Sequence, residues 1–356
     1  MFYLKGQPFG AIRQNWQLTY NILMSRTISF KKEGYDPFID YLKGIAILWV
    51  VMTHAITPII HDYILFCLWG DLAVPIFLLI QCIHVYKKDS INNNVNIVKI
   101  WKRIIKPFLY IQLFLFILSI GYRYFSHKPV LEFVEDFVRS GGIGRGSYYV
   151  KMYLEFVLII PLLYPLLRKN SKLGGAFLLF LSCLFEFLFS FLDLYLLWQW
   201  ICFRYVIIIY LGYVIAKNGI ILNIKNILLS IISIIVILVF QYSNCIFEPF
   251  FYDNPWKIFH WPIYFYVAYL LCFLLFVSFN RTRGLLLNVV LLMGKYSYEI
   301  FLFQMIIFYI TDVTIRTYAY EHGYLTAFLY ISFVVVFSIS PVLIYKHFAQ
   351  QEIKIT

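Results

Sequence analysis

Apolar residues fill this chain in long blocks, and short polar stretches punctuate them. A helix needs about 20 mostly apolar residues to cross a bilayer. Blocks of that kind recur at roughly 40–60, 64–86, 106–124, 147–168, 173–192, 196–216, 222–242, 258–279, 296–314 and 324–345, which predicts about ten spans. The stretch 284–294 is apolar but short. It reads as an interfacial or re-entrant piece leading into the ninth span. The expected fold is therefore all-α, a polytopic helical membrane bundle. A segment 1–37 precedes it, the bundle fills 38–346, and a tail 347–356 follows.

Composition points the same way. Of 356 residues, 62% are hydrophobic and 13% charged, against about one quarter charged in a soluble domain. Mean hydropathy is +0.77. Aromatic residues make up 21%, and Trp198, Trp200, Trp256 and Trp261 are candidates for the membrane interfaces. The net charge of +12 would suggest nucleic acid in a soluble chain. Here it orients the protein and meets anionic lipid head groups, so no nucleic-acid partner is expected.

The loop charges give that orientation. Basic residues gather before the first span (Lys5, Arg13, Arg26, Lys31, Lys32), after the second (Lys87, Lys88, Lys99, Lys102, Arg103, Lys106), after the fourth (Arg168, Lys169, Lys172), at the sixth-to-seventh turn (Lys217, Lys225), after the eighth (Arg281, Arg283, Lys295) and after the tenth (Lys346, Lys354). The alternate loops are acidic or mixed, as at Asp62, Asp193, Glu248 and Asp312. By the positive-inside rule both termini are cytoplasmic, in a plasma or inner membrane. The segment before Phe38 lacks the short apolar core and small-residue site of a cleaved signal peptide. The six cysteines form no CxxC pair and read as small hydrophobes, and no metal site is expected.

Within the spans, ionisable groups are costly and functional by default. Lys43 and His54 stand on the first span, roughly 16 Å apart along a helix axis. His54 is then roughly 21 Å from the cytoplasmic start, well inside the hydrocarbon. Lys151, Glu155 and Arg204 reach a similar depth from the outer side, His260 is shallower, and Asp71 is a further candidate. A carboxylate beside the imidazole would keep it basic, which makes His54 a general base towards a hydroxyl. Lys151 and Glu155 lie one turn apart and can pair. The plain alternative is that Lys151, Glu155 and Arg204 are structural ion pairs. At the inner face, Lys99, Lys102, Arg103 and Lys106 offer charge for the phosphates of a cytoplasmic donor, beside Asp40, Gln81, His84, Lys295, Tyr298, Glu299 and Gln304. The 140–147 run Ser-Gly-Gly-Ile-Gly-Arg-Gly-Ser excludes a rigid helix. It follows no strand and precedes no GK[ST], so it reads as a flexible substrate-facing loop and not a nucleotide site.

Six ordered segments together resemble the membrane acyltransferase-3 family over about 36–345. They are Phe38–His54 with its basic residue, ten others, then histidine; Val74-Pro75-Ile76-Phe77; Arg103-Ile104-Ile105-Lys106-Pro107; Gly146-Ser147-Tyr148-Tyr149; Phe203-Arg204-Tyr205 with Leu211-Gly212-Tyr213; and Gly294 to Gln304. The resemblance implies acyl transfer, most often O-acetylation of a surface glycan. It implies His54 as the essential residue, with Lys43 in the place usually held by arginine, and Arg103 as a contact for the donor's phosphates. With the residue reading above, the expected catalytic set is His54, as general base or acyl relay, with Glu155 and Lys43, and the expected contacts for acyl-coenzyme A, a co-substrate and not a bound cofactor, are Arg103, Lys43, Lys99 and Lys102. Arg204, Lys151, Tyr148, Tyr149 and His260 are expected to support the acceptor or the transition state. Three departures stand out: Ile100 replaces the first arginine of the family's RxxR pair, Lys43 replaces an arginine, and Gln304 stands where many relatives carry histidine. A transporter or flippase of a lipid-linked intermediate and a non-catalytic partner in glycan biosynthesis are the alternative classes. The acceptor's identity, the acyl chain length and the oligomeric state are not legible.

Overall fold

The computed structural model describes residues 27–30, 34–56, 65–87, 97–127, 137, 142–192, 201–242, 261–315 and 324–355. Its first long helix, α1 (Pro37–Ala55), begins where the Asp36 carboxylate accepts from the Phe38 N–H at 3.2 Å and Pro37 presets a helical φ. Two short 3₁₀ turns, Phe66–Leu68 and Gly70–Leu72, lead into α2 (Ala73–Lys87). A continuous helix α3 (Ile97–Phe125) follows. It widens to π geometry over Trp101–Ile105, just before Pro107, whose missing N–H interrupts the regular ladder. Then come α4 (Tyr148–Lys169), α5 (Ser171–Phe191), a 3₁₀ turn Cys202–Tyr205, α6 (Val206–Asn218) and α7 (Ile224–Tyr242). The chain ends with α8 (Trp261–Arg281), α9 (Gly284–Lys295), α10 (Ser297–Thr314) and α11 (Tyr324–Ile355).

Each expected span falls on one of these helices, but the count of ten is not reached by length and composition. Six helices, α1, α3, α4, α5, α8 and α11, are long and apolar enough to cross a membrane among the described residues. A seventh is added if α9 and α10, bent by 82° at their junction, cross as one span. Part of the shortfall has a local cause. The 3₁₀ turns Phe66–Leu68, Gly70–Leu72 and Cys202–Tyr205 precede α2 and α6 and leave them 15 and 13 residues long. The all-α expectation also meets one exception, an antiparallel ladder of β1 (Thr27–Ile28) on β2 (Ile220–Ile221), with Ile28 opposite Ile220.

Burial separates a core from a lipid-facing shell. In α1 and α8, 61% of the spanning window is buried, against 17% in α3. Leu109, Leu113, Phe114 and Ile117 on α3, and Leu325, Phe328 and Leu329 on α11, are exposed. So large a display of apolar side chains fits hydrocarbon and not water. The closest packing is α1 on α9. A Cβ on Gly44 would strike the Val290 carbonyl, and one on Gly294 would strike the Asp40 carbonyl. Small residues let two backbones touch where hydrophobic driving force between helices is weak. This contact seats the amino-terminal half of α1 directly on α9.

Candidate active site

His54 lies in the last turn of α1 and is half-buried. Its ring meets Phe308 of α10 edge-on, with centroids 5.8 Å apart. Beside its Nε2 lies Gly146, at φ +84°, a backbone that glycine adopts freely. A methyl group at that position would come 3.4 Å from the imidazole Nε2 and 3.2 Å from the Phe301 ring. Glycine there therefore puts no side chain against this nitrogen.

The group that holds this end of α1 is Arg145. Its Nη1 donates to the His54 carbonyl at 2.8 Å. Its Nε donates to Asp312 Oδ2 at 2.8 Å, and its Nη2 donates to Asp312 Oδ1 at 3.3 Å. The guanidinium also lies 5.4 Å from the Phe308 ring centroid. A two-point guanidinium–carboxylate pair fixes orientation as well as charge. Sequence reading took both residues as loop charges. Each is nonetheless an ionisable group flanking an apolar block, and that was the signal available.

The loop carrying Arg145 is pinned, which corrects the expectation of a flexible segment across its described part, 142–147. Gln112 of α3 accepts from the Ile143 N–H at 2.6 Å, and its Nε2 donates to the Ile143 carbonyl at 3.0 Å. The Ser147 hydroxyl donates to the Gly142 carbonyl at 3.3 Å. Gln112 is buried, so each unmade bond would cost about 1–3 kcal/mol.

Away from His54, a row of rings runs along α10 towards the amino-terminal end of α3. Phe301 contacts Tyr149 at 5.6 Å and Tyr298 at 6.2 Å between centroids. Tyr149 in turn meets Phe77 and Tyr153, both at 6.2 Å. The Tyr298 hydroxyl donates to the Ile104 carbonyl at 2.6 Å, within the π turn. The Tyr153 hydroxyl donates to Gln81 Oε1 at 3.2 Å and lies within electrostatic range of Arg103. Arg103, Lys102 and Lys99 are all exposed at this end. Lys43 pairs with Asp40 one turn before it, Nζ to Oδ1 at 2.9 Å. The ring row thus runs from Phe301, beside Gly146, to the π turn that carries Arg103.

Two expected partners lie elsewhere. Glu155 accepts from the Cys202 N–H at 3.0 Å, so the groups seen around His54 come from Arg145, Gly146 and Phe308 instead. Arg204 is buried in the turn before α6, stacked over the Tyr205 ring and hydrogen-bonded to its hydroxyl. Glu186, buried on α5, and Tyr148 are its electrostatic neighbours. Glu186 was missed because it reads as one polar position in an apolar block. Lys151 is exposed. His260 lies outside the described residues, as does the Asp71 side chain. Among the described residues, no three His, Cys, Asp or Glu side chains form a group that could hold a metal ion.

Gln304 occupies the turn of α10 between Phe301 and Phe308. It is fully buried, and both its Nε2 and its Oε1 lack hydrogen-bond partners.

No significant match was found among curated proteins or among solved structures. A family model described as an acyltransferase domain does match, over residues 36–346. That stretch takes in α1 with His54, the Arg145 loop and the whole of α10, and on the strength of it this multi-pass membrane chain belongs to the acyltransferase-3 family.

Proposed function

We propose that this acyltransferase moves an acyl group, acetyl first among them, from cytoplasmic acyl-coenzyme A to a hydroxyl of a glycan or lipid-linked saccharide. The carrying observation is that His54 and Phe301 both flank the side-chain-free Gly146, while Phe301 stacks on Tyr298, which reaches the Ile104 carbonyl next to the exposed Arg103. In this reading both termini face the cytoplasm of a plasma or inner membrane, as the loop charges indicate. Lys99, Lys102 and Arg103 take the donor's phosphates, with Lys43 close to the same face. The pantetheine chain follows the rings inward.

The acceptor hydroxyl gives its proton to the His54 Nε2 as its oxygen bonds to the thioester carbonyl carbon. The tetrahedral intermediate then expels coenzyme A as the carbon–sulfur bond breaks, and the departing thiolate takes the proton from the imidazolium. The proton returns, so the histidine ends as it began. Arg145 acts through its bond to the His54 carbonyl and is a positioning residue. Arg204, Tyr148 and Lys151 belong to the neighbouring cluster, and acceptor contact there is part of the proposal.

The test is transfer of radiolabelled acetyl from acetyl-coenzyme A to membrane glycan, with wild type and His54→Ala at equal abundance. Transfer should be confined to the wild type. Equal labelling by both proteins would remove His54 from the chemistry.

A further inference from the structure

We infer that Gln304 hydrogen-bonds the thioester-proximal amide of the donor's pantetheine arm. The inference rests on the function proposed above. It starts from a polar side chain that is fully buried with both ends of its amide unpaired. Buried polar groups are almost always satisfied, so such a pair calls for an explanation. A carboxamide offers an N–H donor and a carbonyl acceptor side by side. A trans secondary amide carries an acceptor on one edge and a donor on the other, and either edge finds its match in one end of the Gln304 carboxamide.

Position selects which amide. Gln304 stands three residues after Phe301 and four before Phe308, on the face of α10 that meets the 142–147 loop. Phe301 flanks Gly146, Phe308 meets His54, and Met305 lies against Gly144. Along the axis, Gln304 is therefore about 6 Å from Phe308, on the side towards the exposed cations of α3. A thioester carbon held at His54 would place the first pantetheine amide, two methylenes beyond the sulfur, at a comparable distance in that direction. Gln304 cannot relay a proton at neutral pH, so its role is recognition.

The experiment compares two small acetyl donors with the full-length protein in detergent: S-acetyl-N-acetylcysteamine, which carries that amide, and ethyl thioacetate, which does not. Wild type should prefer the amide-bearing donor by about tenfold in kcat/KM, the scale of one buried hydrogen bond net of water. Gln304→Met keeps length and apolar packing but removes both hydrogen-bonding groups, and its preference should fall to near unity. Gln304→Ala serves if methionine does not fold. An undiminished preference in the folded variant would overturn the assignment. A rise in acceptor KM with the donor preference intact would also overturn it, by giving the amide to the acceptor. If neither thioester is used and a non-transferable thioether analogue does not bind wild type by calorimetry, the proposed function itself fails.

Discussion

At its amino-terminal end, beside the backbone contact with α9, α1 has two polar anchors close in sequence: Asp36 caps it, and Lys43 reaches Asp40 within the same turn, at 2.9 Å. At its other end, the His54 carbonyl is gripped by Arg145, which is itself clamped to Asp312, 167 residues further along. The Lys43–Asp40 anchor is a partly exposed pair, a kind worth about 0–1 kcal/mol. The far one joins three elements around a half-buried imidazole. What differs is the job done: the first keeps a helix end in register, and the second sets where one ring sits. Position, more than stability, is what the distant contacts supply.

The largest expected effect lies at the far anchor. Asp312→Ala leaves Arg145 without its carboxylate and frees the last turn of α1. We expect kcat to fall about 100-fold, the scale of a misplaced reacting group, with donor KM little changed. Steady-state kinetics on purified protein would decide this, and an unchanged kcat would mean that the clamp does not position His54. Next comes Gly146→Ala, which combines a left-handed backbone with a methyl beside Nε2. A strain of about 1–3 kcal/mol is expected, with kcat lowered by roughly tenfold. An active, equally stable alanine variant would show that the space beside the ring is not needed. Gln112→Leu should unpin the loop and lower stability by about 1–3 kcal/mol, seen as a lower Tm, because two buried bonds to Ile143 go at once. The smallest effect belongs to the near anchor. Lys43→Met should alter stability by no more than about 1 kcal/mol in denaturant titration. A larger loss there would erase the contrast between the two ends.

The sequence made visible whatever depended on period and length. Apolar blocks gave each helix, the short block at 284–294 became α9, and His54 and Lys43 were placed on one helix by counting. Depth counting failed for Glu155 for a plain reason. It fixes height along the membrane normal and says nothing of direction around the helix axis, and Glu155 bonds the Cys202 N–H. The loop at 142–147 read as mobile because glycines were visible and the Gln112 amide that clasps Ile143 was not, being remote in the chain. Arg145 and Asp312 were both seen as charges, but a pairing across 167 residues leaves no local pattern in one sequence. The two-residue strands were too brief to show any alternation.

That small ladder bears on the order of synthesis. Ile28 emerges early, yet its partner Ile220 follows only after α6 has been made. The strand ahead of α1 must therefore wait, unpaired, while six helices enter the bundle. Closing the ladder then ties the leading end of the chain to the far side of α6, so completion of the first half is registered by a segment made at the outset. A nascent chain halted before residue 220 would carry α1 to α6 with that tie still open.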